Sequence, residues 1–445
     1  MSQLAQGFSL RTAVYLVVSS TVGGGILGTA GYVVVDAGGH PGAILIWALG
    51  GLIAACGALT LAEISASLPK SGGEYVILSE AYGPMIGFVG GWVSLIFGFM
   101  APIAATGSAS AAYLLASVGV TSLWGTRIVA TLAIVGFALA HSWGTSGTEK
   151  TQGITTTATI AVLSLFIVAG LWAGRGGLPT LQGGGNHLAW TSLFVGLIRV
   201  SYAYTGWNGA SYVAGEIANA QKVLPRAILI GTAVVITLYL GIVVVLGLVI
   251  PSQELQEMHR VDPNKLERIY DIAAVRLFGS QGATLVSLSM GIVLFAALSA
   301  MILTGPRVAF AMARQGHLPS ILGRLSVQSQ TPAPATTMMA LGAIVMLWSG
   351  GFEAITFVAG IGLSLNSLLT VAAVFVLRKK NPEWRRPFRT PGYPVVPLIF
   401  LGLTATALLM AFVDVNKRIE SLIGLLGVLS GVPAYWIATR RARRA

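Results

Sequence analysis

The chain has 445 residues, of which 55% are hydrophobic and only 9% are charged, and its mean hydropathy is +0.79. Because a soluble domain carries about 25% charged residues, this composition excludes a soluble protein and indicates that lipid surrounds most of the chain. The formal charge of +12 does not indicate nucleic-acid binding, because the lysines and arginines flank apolar segments instead of forming one basic patch.

Apolar segments long enough to cross about 30 Å of hydrocarbon follow one another along the chain. The first of them lacks the pattern of a cleaved signal peptide. We predict twelve membrane-spanning helices and no separate soluble domain. Their predicted bounds are 9–36, 41–68, 85–117, 126–143, 152–174, 190–217, 225–250, 281–313, 334–350, 352–378, 394–413 and 419–438.

Lysine and arginine residues are distributed unequally between the two sides of these predicted helices. When both termini are placed on one side, that side receives about two thirds of the 27 lysines and arginines. The positive-inside rule therefore predicts cytoplasmic termini, and we expect the protein in the cytoplasmic (inner or plasma) membrane. Residues 251–280 form the one sizeable polar loop on the predicted outer side, and we expect a short helix within it.

Glycine-containing interruptions mark the predicted helix that begins each half of the chain. Gly23–Gly25 interrupts the first predicted span, and Tyr204–Gly209 interrupts the sixth. A broken membrane helix leaves backbone N–H and C=O groups unpaired, and it is tolerated only where protein or water surrounds the break. Paired breaks in two halves indicate a transporter binding site near the middle of the bilayer. The alternative is that the glycines let helices pack closely, but three successive glycines with a matching break favour the binding site.

The two breaks divide the chain into two repeats. Five predicted spans begin with each break, and since five is odd, the second repeat crosses the membrane in the opposite direction. We predict an all-α polytopic membrane protein with 12 transmembrane helices, a 5+5 inverted repeat and two additional helices. Residues 1–413 form a single transmembrane domain that contains repeat 1 (9–174), repeat 2 (190–378) and helix 11 (394–413), and residues 414–445 form helix 12 and a basic cytoplasmic tail.

The chemistry of the breaks matches the two ends of an α-amino acid. A helix N-terminus carries unpaired N–H groups and a partial positive charge, so the first break is suited to a carboxylate. Carbonyl groups freed at the second break are suited to an ammonium group. The predicted carboxylate ligands are Gly23, Gly24, Gly25 and Ile26, and the predicted amine ligands are Thr21, Tyr202 and Thr205.

Side chains near the breaks are candidates for a gate and a side-chain pocket. Arg199 is a charge within a predicted span, which is a functional hypothesis by default. An alternative at least as strong is that its side chain snorkels to the outer water. Glu63 and Glu216, near the predicted cytoplasmic ends of their spans, are expected to form ion pairs with Lys70 or Arg307. The predicted gate and pocket residues are Phe97, Phe99, Gly206, Trp207, Asn208 and Met301.

Four motifs resemble those of the amino acid–polyamine–organocation (APC) superfamily, in particular its L-type amino acid transporter branch. They occur in the family's order over residues 10–400, which makes the resemblance specific. It implies the leucine-transporter-like fold and amino acid uptake or exchange by alternating access. The motifs are Thr21–Leu27 (TVGGGIL), Pro69–Tyr75 (PKSGGEY) followed by Ala81–Pro84 (AYGP), Tyr202–Asn208 (YAYTGWN) followed by Gly215–Glu216 and Leu224–Arg226 (LPR), and Arg307–Pro319.

Several positions depart from the family pattern. Gly24 stands where the family has a serine, so a hydroxyl contact to the carboxylate is missing. Aligned on Gln152, Thr159 stands where several members carry a lysine in the place of a sodium ion, so proton coupling through that lysine is not available. Sodium stays open, because first-break carbonyls and hydroxyls such as Ser299 can form an oxygen cage. The single cysteine, Cys56, excludes an intrachain disulfide and cannot join the disulfide-linked partner subunit that some members use.

These observations predict a secondary transporter that needs no cofactor or metal. They do not favour an intramembrane enzyme, because such an enzyme would need paired in-span carboxylates or an H-E-x-x-H motif. The spans expected to line the pocket hold no aspartate or glutamate near the midplane. A cationic substrate would therefore lose several kcal/mol by desolvation, and neutral L-amino acids are favoured, with exchange as the mode. Proton- or sodium-coupled symport, polyamine or cationic amino acid antiport, and a non-transporting amino acid receptor are the alternatives. Oligomeric state is left open.

Overall fold

The structure of the protein is a computed structural model, and within its described residues the regular structure is helical. One isolated backbone bridge, between Phe8 and Ile217, is the exception in that part of the chain. The residues described are 8–143, 148–173, 190–327 and 329–442.

The helices of the first half follow the predicted apolar segments closely, with one helix that was not predicted. That helix, α4, has nine residues in the loop after the second predicted span, which is too short to show a hydropathy signal. The first-half helices are α1 (Leu10–Thr21), α2 (Gly24–Asp36), α3 (His40–Ser67), α4 (Glu74–Tyr82), α5 (Pro84–Val93), a π-helical segment Ser94–Met100, α6 (Ala101–Ser117), α7 (Leu123–Trp143) and α8 (Thr148–Ala173).

The helices of the second half differ from the prediction mainly around residue 280. The predicted span 281–313 is instead divided between two helices. The first, α12, begins before a backbone kink at Gly279 with φ of +71°, and the second begins at Pro306. The second-half helices are α9 (Trp190–Tyr204), a 3-10 helix Gly209–Glu216, α10 (Ala220–Val249), α11 (Ser252–Val261), a 3-10 helix Pro263–Arg268, α12 (Ile269–Thr304), α13 (Pro306–Arg314), a 3-10 turn Ser320–Gly323, α14 (Ala333–Ser349), α15 (Phe352–Lys380), α16 (Val395–Val413), α17 (Arg418–Leu429) and α18 (Gly431–Ala442).

Membrane-spanning helices make up most of the described structure. Among the described residues, nine helical segments are long and apolar enough to cross a membrane, and the bent pair α1 and α2 makes a tenth. Two further predicted spans are shorter: α9 ends after 15 residues at the second break, and α14 has 17 residues. Exposed apolar side chains such as Leu132, Leu165 and Leu341 cover the outside of the bundle. The protein is an all-helical multi-pass membrane protein.

The first helix pair is broken where the glycines predict it. Helices α1 and α2 meet at an angle of 41° across Val22 and Gly23. The second break lies between the end of α9 and the 3-10 helix that starts at Gly209. In the third predicted span, the backbone widens into the π-helical segment before Pro102. Proline has no N–H to bond the preceding turn, and a π-helical turn is one way to accommodate that gap.

The helical bundle has two opposite faces. At the N-terminal face, the backbone N–H of Phe8 donates to the Glu216 carbonyl at 3.1 Å. At the other face, here called the loop face, α11 forms the predicted short helix of the 251–280 loop, and the His40 N–H donates to Ser252 Oγ at 3.1 Å. The sequence predicts that the N-terminal face is cytoplasmic. Arg443 and Arg444, two of the bases behind that prediction, lie outside the described residues.

Candidate functional site

The two broken helices touch each other at their breaks. A Cβ atom on Gly206 would lie 2.4 Å from the Ser20 carbonyl oxygen and 2.7 Å from the Thr21 nitrogen. The φ angle of Gly206 is +120°, a region that favours glycine. A Cβ atom on Gly25 would lie 2.6 Å from the Ala203 Cα atom. The glycines of both breaks therefore permit a backbone approach that a larger residue would prevent.

A tyrosine of α10 lies between the carbonyl groups that the breaks free. The hydroxyl oxygen of Tyr239 is 2.8 Å from the Thr21 carbonyl oxygen and 3.1 Å from that of Ala203. The Tyr270 hydroxyl donates to the Ile26 carbonyl at 3.2 Å. The Thr21 carbonyl, predicted as an amine ligand, thus already contacts a phenol. A carbonyl oxygen has two lone pairs, so it can accept a second donor.

The N-terminus of α2 is completed by a hydroxyl group from α6. The Gly24 N–H donates to Thr106 Oγ1 at 3.2 Å, and Thr106 is fully buried. The N–H groups of Gly25 and Ile26 belong to the same first turn, where a helix has no internal partner for them. Thr106 therefore brings a hydroxyl to the break at which the family resemblance expects a serine.

A cavity occupies the contact between the two breaks, and none of the described side chains that line it is charged. Helices α6, α12 and α15 and the π-helical segment complete its wall. The lining residues are Ser20, Thr21, Gly23, Gly25, Gly98, Phe99, Pro102, Thr106, Tyr202, Thr205, Gly206, Asn208, Gly209, Tyr212, Met301, Thr304 and Leu363.

Most of the predicted site residues line this cavity, and a few do not. Gly24 and Ile26 are buried but do not line it. The ring of Phe97 packs against α15 and α17, where Cβ atoms on Gly362 and Gly427 would lie within 2.3 Å of it. Trp207 borders a separate cavity with Phe400. The predicted residues along the first cavity are Thr21, Gly23, Gly25, Phe99, Tyr202, Thr205, Gly206, Asn208 and Met301.

The two positions considered for ion coupling lie elsewhere. The Thr159 hydroxyl donates to the Thr155 carbonyl within α8 at 3.0 Å. Ser299 Oγ is 2.9 Å from His141 Nε2 on α7, so the Ser299 side chain points toward that helix. Neither Thr159 nor Ser299 is among the residues that line the cavity. In the described part of the chain, no group of three or more His, Cys, Asp or Glu residues could hold a metal ion.

At the loop face, a cluster of charged side chains joins the first broken helix to the second. Arg199 Nε is 2.5 Å from Asp36 Oδ2, and Arg199 Nη2 is 2.6 Å from Glu353 Oε1. Lys417 Nζ also contacts Glu353 Oε1, at 2.9 Å. Only 1% of the Arg199 side chain is exposed, so the alternative that it snorkels to water is wrong. Asp36 and Glu353 neutralise it where it is, which the sequence did not indicate because they are far apart along the chain.

At the N-terminal face, ion pairs and a neutral hydrogen-bond network lie side by side. Arg307 Nε is 2.9 Å from Glu216 Oε1, which confirms the predicted pair. Glu63 pairs with Arg378, with 2.7 Å between Nη2 and Oε2, and not with the predicted Lys70. Beside these pairs, the buried carboxyl of Glu74 accepts hydrogen bonds from uncharged donors. No sequence signal showed that this loop residue is buried.

An uncharged cavity between two broken helices defines a multi-pass membrane carrier for a small solute. The chain belongs to the amino acid permease family, whose model matches residues 8–432. It is accordingly an amino acid transporter of the APC superfamily and not an enzyme.

The most similar characterised proteins include transporters from a bacterium and from mammals. The chain is 27% identical to the serine/threonine exchanger SteT of Bacillus subtilis over 98% of both chains. It is 27% identical to the large neutral amino acids transporter small subunit 2 of Mus musculus over 98% of this chain and 81% of the relative. It is 26% identical to the Asc-type amino acid transporter 1 of Mus musculus, with the same coverage.

Proposed function

We propose that this protein exchanges small or medium-sized neutral L-amino acids across the cytoplasmic membrane by alternating access. The observation that carries the proposal is the absence of charged side chains among the described residues that line the cavity. A cationic or anionic substrate side chain would be buried there without a partner, which costs several kcal/mol. A neutral competitor avoids that cost.

The cavity offers separate partners to the two charged ends of an amino acid. The Gly25 N–H group and the Thr106 hydroxyl, both at the cavity wall, suit the carboxylate. The carbonyls of Thr21 and Tyr202 suit the ammonium group. Phe99 and Met301 then limit the size of the side chain.

Exchange is the mode that we favour. SteT is named as a serine/threonine exchanger, and the cavity provides threonine hydroxyls to a hydroxylated side chain. Thr159 bonds within its own helix, and Ser299 contacts His141, so neither supports a coupled cation next to the substrate.

The membrane arrangement that we propose has twelve spans in a 5+5 inverted repeat, with both termini in the cytoplasm. The short helices α9 and α14 would supply the two spans beyond the ten that meet the length criterion when the bent pair is counted as one. The bend at the first break and the second break opposite it support the repeat. The excess of lysine and arginine on the N-terminal face supports the orientation.

Counterflow into proteoliposomes tests the proposal. Vesicles loaded with unlabelled L-serine should accumulate labelled L-serine, and neutral amino acids should compete better than arginine, glutamate or agmatine. A thermal-shift panel of the twenty amino acids measures binding separately, because a ligand stabilises the folded state by mass action. Binding without counterflow would indicate a receptor, and displacement by arginine or agmatine with equal affinity would refute the charge argument.

Replacement of Gly24 tests the carboxylate seat. A Cβ atom there would lie 3.1 Å from the Thr106 Cα and Oγ1 atoms, so Gly24→Val should abolish binding in a protein that still folds and inserts. The control is Gly136→Ala, since a Cβ atom at Gly136 meets nothing within 4 Å. Affinity within twofold of the wild type for Gly24→Val would contradict the seat.

A further inference from the structure

Glu74 is an acid buried directly behind the wall of the cavity. It is the first residue of α4, and only 1% of it is exposed. The preceding loop is tied to the 3-10 helix of the second break, because the Gly72 N–H donates to the Tyr212 carbonyl at 3.2 Å and the Gly215 N–H donates to Ser71 Oγ at 2.8 Å. The position of Glu74 is therefore linked to the second broken helix.

The partners recorded for the Glu74 carboxyl group are uncharged side chains from three other elements. Its Oε2 atom accepts from Ser94 Oγ at 3.2 Å, from the Tyr212 hydroxyl at 3.5 Å and from the Asn366 amide. Tyr212 and its neighbour Asn208 both line the cavity. One phenol thus lies between the buried acid and the proposed substrate site.

The charged and titratable groups around Glu74 are engaged with other partners. The π-helical segment and α15 present Ser94 and Asn366 to it. On the 3-10 helix, Glu216 pairs with Arg307 of α13. After α13, His317 Nδ1 lies 2.7 Å from the Tyr75 hydroxyl. Among the described residues, no ion pair includes Glu74.

Burial without a counter-charge favours the neutral form of a carboxyl group. Burial raises the pKa of Glu74 to about 7, although hydrogen bonds from Ser94, Asn208 and Asn366 oppose the shift. An opening of the N-terminal face that breaks the hydrogen bonds between the loop before α4 and the 3-10 helix would admit water to Glu74. A hydrated glutamate returns to its ordinary pKa of about 4.3.

We propose that Glu74 is a proton-binding site that takes up a proton when the N-terminal face closes and releases it to the same side when that face opens. The proton does not cross the membrane with the substrate, because Glu74 is not among the residues that line the cavity. Exchange therefore needs no proton gradient, but the pH at the N-terminal face, predicted to be cytoplasmic, sets how readily that face opens.

The direction of the pH effect follows from the pKa difference. A group whose pKa is higher in the closed state stabilises closure at low pH, and that stabilisation is lost as the pH rises through about 7. Between about pH 4.3 and 7, the ratio of closed to open protein falls by up to about tenfold for each unit of pH increase. Above about pH 8 the ratio is independent of pH.

Infrared difference spectroscopy of the purified protein tests the site without relying on the proposed transport function. The wild type should show a protonated-carboxyl band that titrates near pH 7, and this band should be smaller in Glu74→Gln. The matched control, Glu216→Gln, removes a neighbouring carboxylate that pairs with Arg307 and should keep the band. A band of unchanged size in Glu74→Gln overturns the inference, even if transport is normal.

Self-exchange of L-serine, with equal pH inside and outside the vesicles, tests the consequence for transport. The wild-type rate should rise from pH 5 to a plateau near pH 8, and Glu74→Gln should have a flat profile at the low wild-type rate of pH 5. Ser94→Ala keeps the acid and removes one donor to it, so it should shift the midpoint upward by about one pH unit. A flat wild-type profile, or an unshifted midpoint in a folded Ser94→Ala protein, overturns the proposal.

Discussion

The two faces of the bundle are held together by different chemistry. At the loop face, Arg199, Asp36, Glu353 and Lys417 form a cluster of charges. At the N-terminal face, the ion pairs of Glu216 with Arg307 and of Glu63 with Arg378 lie beside an uncharged network around Glu74. An arginine remains charged at any physiological pH, whereas a buried carboxyl without a counter-charge titrates. The structure therefore predicts that the N-terminal face responds to pH through Glu74, and that the loop face responds most to removal of a charge.

Removal of Arg199 should have the largest effect of these changes on the closure of a face. Arg199→Met leaves Asp36 without its buried cation and Glu353 with Lys417 alone. This costs about 3 kcal/mol, the low end for a buried pair, because Asp36 and Glu353 are 19% and 30% exposed. We expect roughly a 100-fold faster reaction of a cysteine at position 205 with a maleimide added at the loop face, in a Cys56→Ser background.

The control for this experiment is Asp36→Asn. It keeps the ion pair between Arg199 and Glu353, so the labelling rate should increase by about tenfold only. If the rate in Arg199→Met equals that of the parent protein, the cluster does not hold the loop face closed.

The ion pair of Glu216 with Arg307 at the N-terminal face should have a smaller effect. Arg307 contacts both oxygens of Glu216, at 2.9 and 3.4 Å, and lysine cannot reproduce this geometry. Arg307→Lys should therefore increase labelling of position 205 from the N-terminal face by about tenfold, with no change from the loop face. Arg314→Lys, at an exposed position of the same helix, is the control. Equal labelling of both variants would argue against a role of the pair in closure.

A substitution in the cavity between the faces should change substrate affinity and should not change how tightly either face is closed. Thr106→Val removes the hydroxyl that accepts the Gly24 N–H, and a lost hydrogen bond of this kind costs about 1 kcal/mol. We expect about fivefold weaker binding of L-serine by thermal shift, with labelling unchanged from either side. Thr106→Ser should bind like the wild type. A loss of affinity in both variants would point to methyl packing instead of the hydroxyl.

A higher salt concentration should have the smallest effect on labelling, and the two faces should differ in their response to it. Glu353 is 30% exposed, so an increase from 50 to 500 mM NaCl should weaken the loop-face cluster by screening. Labelling from that face should rise by no more than about twofold. The Glu74 network contains no ion pair among the described residues, and its pH midpoint should not move. A larger salt effect at the N-terminal face would reverse the comparison.

Local features of the sequence were sufficient for the class of protein and for the position of the breaks. Gly23–Gly25 interrupts the first span in both the prediction and the structure, and the second break follows Tyr204 as expected. Hydropathy and glycine placement act over a few turns of helix, so they can be recognised without a fold. The same limit explains the missed nine-residue helix α4 and the extension of α12 beyond its predicted start.

Contacts between distant parts of the chain were decided by the tertiary structure alone. The Gly24 N–H meets a hydroxyl 82 residues away, Arg199 meets Asp36 across 163 residues, and Glu74 meets Asn366 across 292. Each depends on how far a helix is rotated about its axis and which neighbour it faces, and packing of the whole bundle sets those angles. The sequence by itself therefore determined a membrane transporter with two broken helices. Only the assembled bundle decided that Arg199 is paired with carboxylates and that the recorded partners of Glu74 are uncharged.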